Sequence, residues 1–359
     1  MSTERTPTRM VAALASICLV SLAGACSDDL STTTETETAA VAAAPATGLV
    51  RVADGVLVEY RDWGGAGPTV VLLTGLGNTA AVFDDLAPRL VGAHRVVGLT
   101  RRGFAPSTVT ESGYDVATRA ADDIAALEAL GIDRALLVGH SIAGDELTAI
   151  ARQRPDLVAG LVYLDAALDR SDPQVVDLAT CYAEVPSIET VVDLSGDLVE
   201  VDGEVALVDL ATAARLQGVQ LGGMLPLGEV RRQFAVTSGG ALAPIEPGPS
   251  IEALQAGSNE FTPDYTGISV PVTALYGDDT DPAVAFPLTA LAPAEVREPL
   301  TDCAADVAAA KQSAGADRVR AQVPDAVVEI VPGGPHYFFV QQPDLTARKI
   351  LETAARVDW

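Results

Sequence analysis

Ser141 stands where a hydroxyl could act as a nucleophile. It comes two residues after the apolar run Ala135-Leu136-Leu137-Val138-Gly139 and precedes Ile142-Ala143-Gly144, where a helix-like segment begins. A serine on a tight strand-to-helix turn projects its hydroxyl from the end of a sheet, the layout of a nucleophile elbow. The usual form is G-x-S-x-G; here Ala143 takes the second small position and Gly144 follows it. The extra methyl predicts a slightly adjusted turn. A serine hydroxyl is a weak nucleophile at neutral pH and needs an adjacent base. The chain has three histidines, His94, His140 and His336. His140 adjoins the serine and cannot readily fold back onto its hydroxyl. His94 falls between a helix-like and a strand-like segment, a surface position. His336 lies in the loop Gly333-Gly334-Pro335-His336 after an apolar run. It is the candidate base, taking the serine proton and later giving it to a leaving group.

Such a pair needs a rigid frame. From residue 49 the pattern reads strand, turn, strand, with 49–52 and 56–60 flanking Asp54-Gly55, a hairpin signal. Continuous apolar runs at 69–73, 95–99, 135–138 and 160–164 suit strands buried on both faces. Helix-like segments at 80–90, 117–130 and 145–154 separate them; in the second, Ile124, Leu127 and Leu130 recur at helical spacing. This alternation predicts an α/β fold, a mostly parallel central sheet with helices on both faces. It stops over about 169–266, where helical stretches at 205–216 and 229–234 and Gly/Pro-rich breaks predict an inserted, mainly helical cap. Strands return at 270–276 and 326–331, around a second, helical insertion at about 287–320.

The residues now resemble the α/β-hydrolase family, over roughly 49–357. Four landmarks carry the resemblance: Leu73-Thr74-Gly75-Leu76-Gly77, Thr100-Arg101-Arg102-Gly103-Phe104-Ala105-Pro106-Ser107, the Gly-His-Ser-Ile-Ala-Gly elbow, and Gly333-Gly334-Pro335-His336-Tyr337-Phe338. The resemblance implies a chain order of serine, acid, histidine. It puts the acid in the loop after strand 270–276, three residues past a Gly, where this chain has Thr280. Asp281 is one step late and is the first choice for the acid. Asp279, one step early, and Asp165, at the end of the previous strand, are the alternatives. An oxyanion hole needs two backbone N–H groups, which the resemblance assigns to Ile142 and Leu76. Arg101 and Arg102 are read as loop braces rather than binders of a substrate carboxylate. The implied activity is that of a serine hydrolase working through an acyl-enzyme, most simply on a small-molecule carboxylic ester. Amide or peptide hydrolysis, carbon–carbon bond hydrolysis and a cofactor-free haloperoxidase-type side activity use the same triad and stay open. A non-catalytic small-molecule binding protein on this fold is the alternative of another class.

Composition narrows the setting. The formal net charge is −26, which disfavours nucleic acid as a partner, since phosphate contacts need a basic surface. Arg5 and Arg9 precede an apolar stretch ending in Leu22-Ala23-Gly24-Ala25-Cys26, so residues 1–25 read as a signal peptide of lipoprotein type. Cys26 would then be lipidated and anchor the chain to a membrane at the cell envelope; plain secretion is the other outcome. Residues 26–47 are rich in Ser, Thr, Glu and Ala and read as a disordered tether, leaving 48–359 as the folded domain. Cys181 and Cys303 are the pair left for a disulfide in an oxidising compartment. Neither has a His or Cys at metal-ligand spacing, so no metal site and no cofactor are expected.

Overall fold

The computed structural model describes residues 44–359 except 177–184, 202–203 and 246–249. The stretch read as a signal peptide, Cys26, most of the stretch read as a tether, and Cys181 lie outside the described residues. The main sheet has eight strands in the order β1-β2-β4-β3-β5-β6-β11-β12. They are β1 (Ala46–Ala53), β2 (Val56–Gly64), β3 (Thr69–Leu73), β4 (Arg95–Thr100), β5 (Ala135–His140), β6 (Val158–Leu164), β11 (Val272–Tyr276) and β12 (Val327–Ile330). The first two strands pair antiparallel and β2 meets β4 antiparallel. From β4 onward every neighbour is parallel.

The uninterrupted apolar runs have a simple cause. Val70, Leu72, Leu136, Val138, Val162 and Leu164 belong to one core cluster, together with Ile350 of the C-terminal helix Pro343–Ala354. The intervening Val71, Leu73, Leu137, Leu161 and Tyr163 belong to a second cluster on the other face. There they meet Ala120 and Leu127 of α1 (Val116–Ala129) and Leu147 and Ile150 of α2 (Ala143–Gln153). A central strand covered on both faces has no position for a polar residue.

Two local expectations change. The helix expected over 80–90 is a pair of 3₁₀ turns, Ala80–Phe83 and Ala87–Arg89. Pro88 sits at the start of the second turn, where its missing N–H and fixed φ break a continuous α-helix. The chain between β6 and β11 is less helical than expected. It builds a small antiparallel sheet, β7-β8-β10-β9, from Leu198–Val201, Glu204–Leu207, Leu242–Pro244 and Phe234–Val236. The stretch 205–216 divides because Asp209 accepts a hydrogen bond from Thr212 N–H at 2.8 Å. That N-cap starts the following helix, α3 (Leu210–Leu221), only after the strand has ended. Two more helices of this insertion matter below, α4 (Leu227–Arg232) and α5 (Ser250–Asn259). Leu207, Leu216, Val230 and Phe234 join the first core cluster, so the insertion is packed onto the sheet domain.

The imperfect elbow has a geometric account. A Cβ at Gly144 would lie 2.0 Å from the carbonyl oxygen of Ala166, and one at Gly139 would lie 2.6 Å from Leu147 Cδ1. The obligatory small residue on the helix side is therefore Gly144, while Ala143 is accommodated with its Cβ facing the bare Gly139. Gly144→Ala should force backbone apart at the elbow and destabilise by about 1–3 kcal/mol or more, read from the midpoint of urea unfolding. An unchanged midpoint would refute that packing argument.

Candidate active site

The elbow sits at the carboxyl end of β5. Ser141 has φ 55°, and Asp165, the residue after β6, has φ 49°. These are the two non-glycine residues with positive φ among the described residues. Each left-handed conformation costs roughly 1–3 kcal/mol and persists only where the surroundings over-determine it. Both are held by the sheet. Ser141 N–H donates to Leu164 O at 3.0 Å, and Asp165 N–H donates to Leu275 O at 2.7 Å. Ladder-like bonds thus carry the two residues past the ends of the neighbouring parallel strands β5 and β6.

His336 follows β12 in a tight Gly/Pro loop. Its Nδ1 lies 2.5 Å from Asp165 Oδ2, which directs Nε2 away from the carboxylate. His140 fixes the same loop from the other side: its Nε2 lies 3.0 Å from His336 O, and the two rings are 4.4 Å apart. His140 is fully buried among His336, Tyr337 and Phe339. Burial, and then the neighbouring His336, push its pKa well below 6.5, so it is a neutral spacer. It also requires Gly75, where a Cβ would come within 2.5 Å of its Nδ1.

The structure pairs His336 with Asp165, not with the expected Asp281. The physical reason is helix capping. Asp281 is exposed and accepts from Ala283 N–H at 2.8 Å, as N-cap of the turn Pro282–Ala285. Asp279 is buried but closes on Lys311. Asp165 is held by Gly277 N–H at 3.0 Å on Oδ1 and by Lys311 Nζ at 2.6 Å on Oδ2. Burial pushes the Asp165 carboxyl up. The Lys311 ammonium and the hydrogen bond from His336 outweigh this and hold it far below the usual carboxylate range. Asp279 goes the other way, raised by burial against the pull of Lys311. His94 is buried rather than exposed, with Nδ1 3.2 Å from Pro68 O, remote from this site's contacts.

Leu76 and Ile142 meet in one apolar cluster with Tyr114, Phe104 and Leu254 of α5. Ile142 is the N-cap of α2, where orphan N–H groups favour negative charge. The Leu76 loop is braced by Arg101, whose Nη2 donates to Thr74 O at 2.9 Å and Nη1 to Gly75 O at 3.3 Å. The same guanidinium forks onto Glu146 of α2 at 2.6 and 2.7 Å, with both groups buried. One arginine therefore locks the loop after β3 to the helix after Ser141. Arg102 pairs with Asp122 of α1, so both arginines brace. Sequence reading missed Glu229 of α4. Its buried carboxylate takes bonds from Thr79 N–H at 3.1 Å and Asn78 Nδ2 at 3.1 Å, tying the insertion to the Leu76 loop. A lone Glu in a short helix, 150 residues from its partner, carries no signal.

His336 must be neutral to accept a proton. Burial lowers its pKa below 6.5, Asp165 opposes this, and Lys311 adds to the lowering. The acidic limb of any reaction using it as base should therefore lie below pH 6.5, with activity retained into mildly acidic solution. A pH–rate profile for kcat/KM checks this; a limb above 6.5 contradicts it.

Residues 68–180 match the model of the family described as alpha/beta hydrolase fold. The chain has the α/β-hydrolase fold. It is 25% identical over 294 residues to the 2-(acetamidomethylene)succinate hydrolase of Mesorhizobium japonicum, covering 80% of this chain and 87% of that one. Over 122 residues it is 36% identical to a non-heme chloroperoxidase of Streptomyces lividans, covering 33% of this chain and 44% of that one. A crystal structure of E-2-(acetamidomethylene)succinate hydrolase superposes with a TM-score of 0.59 at 19% identity, over 87% of this chain and 99% of that one. Among the described residues of this α/β-hydrolase fold, no cluster of three or more His, Cys, Asp or Glu is placed to hold a metal ion. No helix among them is long and apolar enough to cross a membrane.

Proposed function

We propose that this protein is a serine hydrolase that cleaves carboxylic esters through an acyl-enzyme. The observation that carries the reading is that Ser141 and Asp165, both at positive φ, follow the neighbouring parallel strands β5 and β6, and that Asp165 holds His336 by a hydrogen bond. Ser141 attacks the ester carbonyl as His336 Nε2 takes its proton. The oxyanion is met by the N–H groups of Ile142 and Leu76. His336 then protonates the leaving alcohol, and a water repeats the sequence to release the acid. Asp165 orients His336 and stabilises the imidazolium that forms. The apolar cluster of Leu76, Phe104, Ile142 and Leu254 favours an apolar acyl group. The relatives are named as a hydrolase and a chloroperoxidase, which supports a small-molecule substrate. A panel of p-nitrophenyl esters and amides of graded length, alongside a fluorophosphonate probe, tests the proposal. Ester turnover with labelling of one serine is expected. A folded protein that turns over no ester and takes no label would overturn it, and faster amide turnover would reassign the bond cleaved.

We further propose export to the cell envelope, with cleavage before Cys26, lipidation of that residue and a Cys181–Cys303 disulfide. Cys303 is buried on helix α6 (Leu300–Ala310) in a cluster that also receives Val175 and Val185, residues flanking the segment of Cys181. Intact mass of the exported chain should begin at Cys26, carry the added lipid, and rise by two protons on reduction. An unchanged mass on reduction removes the disulfide, and an unprocessed N-terminus removes the export reading.

A further inference from the structure

The His336–Asp165 pair has a third charged partner. Lys311 Nζ lies 2.6 Å from Asp165 Oδ2, the same oxygen that accepts from His336 Nδ1 at 2.5 Å. Ammonium and imidazole are therefore no more than about 5 Å apart, well within the range where like charges shift a titration. Asp279, from the loop after β11, closes on the same ammonium. Lys311 is delivered by unusual backbone. It opens a π-helical segment, Lys311–Asp317, between the α-helical stretches Leu300–Ala310 and Arg318–Gln322. Such wide turns concentrate at functional sites. This one is docked on the chain just past Asp165. Asp169 N–H donates to Ala314 O at 3.0 Å, and Tyr276 OH donates to Ala167 O at 2.8 Å. A Cβ at Gly315 would come within 2.8 Å of Ala167 O.

We propose that Lys311 is a positioning residue that sets the basicity of His336 through Asp165, with Asp279 holding and partly neutralising its ammonium. The inference rests on the serine-hydrolase reading above. A cation on the oxygen that would stabilise the imidazolium weakens that stabilisation. It makes His336 a weaker base but keeps it deprotonated at lower pH. The groups facing His336 are Asp165 from the end of β6, Lys311 from the π-turn, Asp279 from the loop after β11, and His140 from the end of β5. Of these, His140 is neutral. Arg170, in the loop after β6, is engaged by Asp145 at 3.1 Å, and Asp278 receives Thr280 Oγ1 and Gly333 N–H. The net field on His336 is therefore a contest between one ammonium and two carboxylates.

The test is the sign of the change. Fluorophosphonate labelling rates against pH should be measured for the wild type, Lys311→Met, Asp279→Asn, the double variant and Lys311→Arg. Removing the ammonium should move the acidic limb up by about one pH unit, and removing Asp279 should move it down. The double variant should return close to the wild type, and Lys311→Arg should stay near it. A merely structural role predicts lost labelling without opposite shifts. Limbs that move in the same direction, or do not move, overturn the proposal. If Lys311→Met does not fold, Asp279→Asn decides alone, because its limb must fall. NMR titration of the histidine rings, of which the chain has three, reads the pKa of His336 without any activity. Failure of the wild type to label overturns the serine-hydrolase reading, whereas unshifted ring titrations in the variants overturn the role of Lys311.

Discussion

Replacing Ser141 with alanine should leave a folded protein with ester turnover reduced by about 10⁴–10⁶-fold and no fluorophosphonate label. The size of the loss follows from the proposed chemistry. Without the hydroxyl no acyl-enzyme forms, and what survives is an oxyanion hole acting on water. The small buried side chain supplies little packing, so the fold should hold. Backbone strain gives a second, independent signature. Ser141 is held at φ 55°, where a Cβ crowds the backbone and glycine does not. Ser141→Gly should therefore abolish turnover as completely as the alanine variant while raising stability by about 1 kcal/mol. A thermal or urea midpoint that rises as activity vanishes is what a strained nucleophile predicts. Residual labelling of Ser141→Ala at the wild-type rate would move the nucleophile elsewhere, and Ser141→Gly less stable than wild type would remove the strain argument.

The frame and the elbow were legible because both depend on near neighbours in the chain. Apolar runs such as 135–138 and 160–164 can only be strands buried on both faces, and a serine between such a run and a helix has few other readings. His336 was legible as a candidate because there are so few histidines. The carboxylate that it meets was not, and the reason is physical. Asp281, Asp279 and Asp165 are chemically identical in sequence, and each ends or follows a strand. What separates them is long-range: the 2.5 Å contact across 171 residues, the Gly277 N–H, and the ammonium of Lys311. Asp281 was drawn away by a local N-cap competing for its carboxylate, a signal that Asp-Pro at the start of a helix does carry. Asp165 directly after an apolar strand was the available cue in its favour. Lys311 had none, being a single lysine after Ala308-Ala309-Ala310, brought into place by a π-turn that no periodicity announces. The small sheet of the insertion was hidden for a similar reason, since strands of three or four residues are too short to show alternation.

Asp165→Asn should lower kcat/KM by about 10⁴-fold, whereas Asp281→Asn should leave it within about twofold. The asparagine at 165 removes the charge that stabilises the imidazolium. Its amide can also present N–H₂ to Nδ1, favouring the tautomer that leaves Nε2 protonated and unable to take the serine proton. The substitution keeps the fold testable, because asparagine tolerates the left-handed backbone that Asp165 adopts at φ 49°. The Gly277 N–H can still find an amide oxygen, so the strand end need not open. Asp281 differs on each count. It is exposed, its carboxylate caps the turn that follows, and asparagine caps a helix as well as aspartate does. The contrast separates the two carboxylates cleanly in steady-state kinetics on a p-nitrophenyl ester, with circular dichroism confirming that both variants fold. A folded Asp165→Asn enzyme with near wild-type turnover would detach Asp165 from the chemistry. A large loss in Asp281→Asn would return the acid to the loop after β11, and with it the need for that loop to rearrange toward His336 during the reaction.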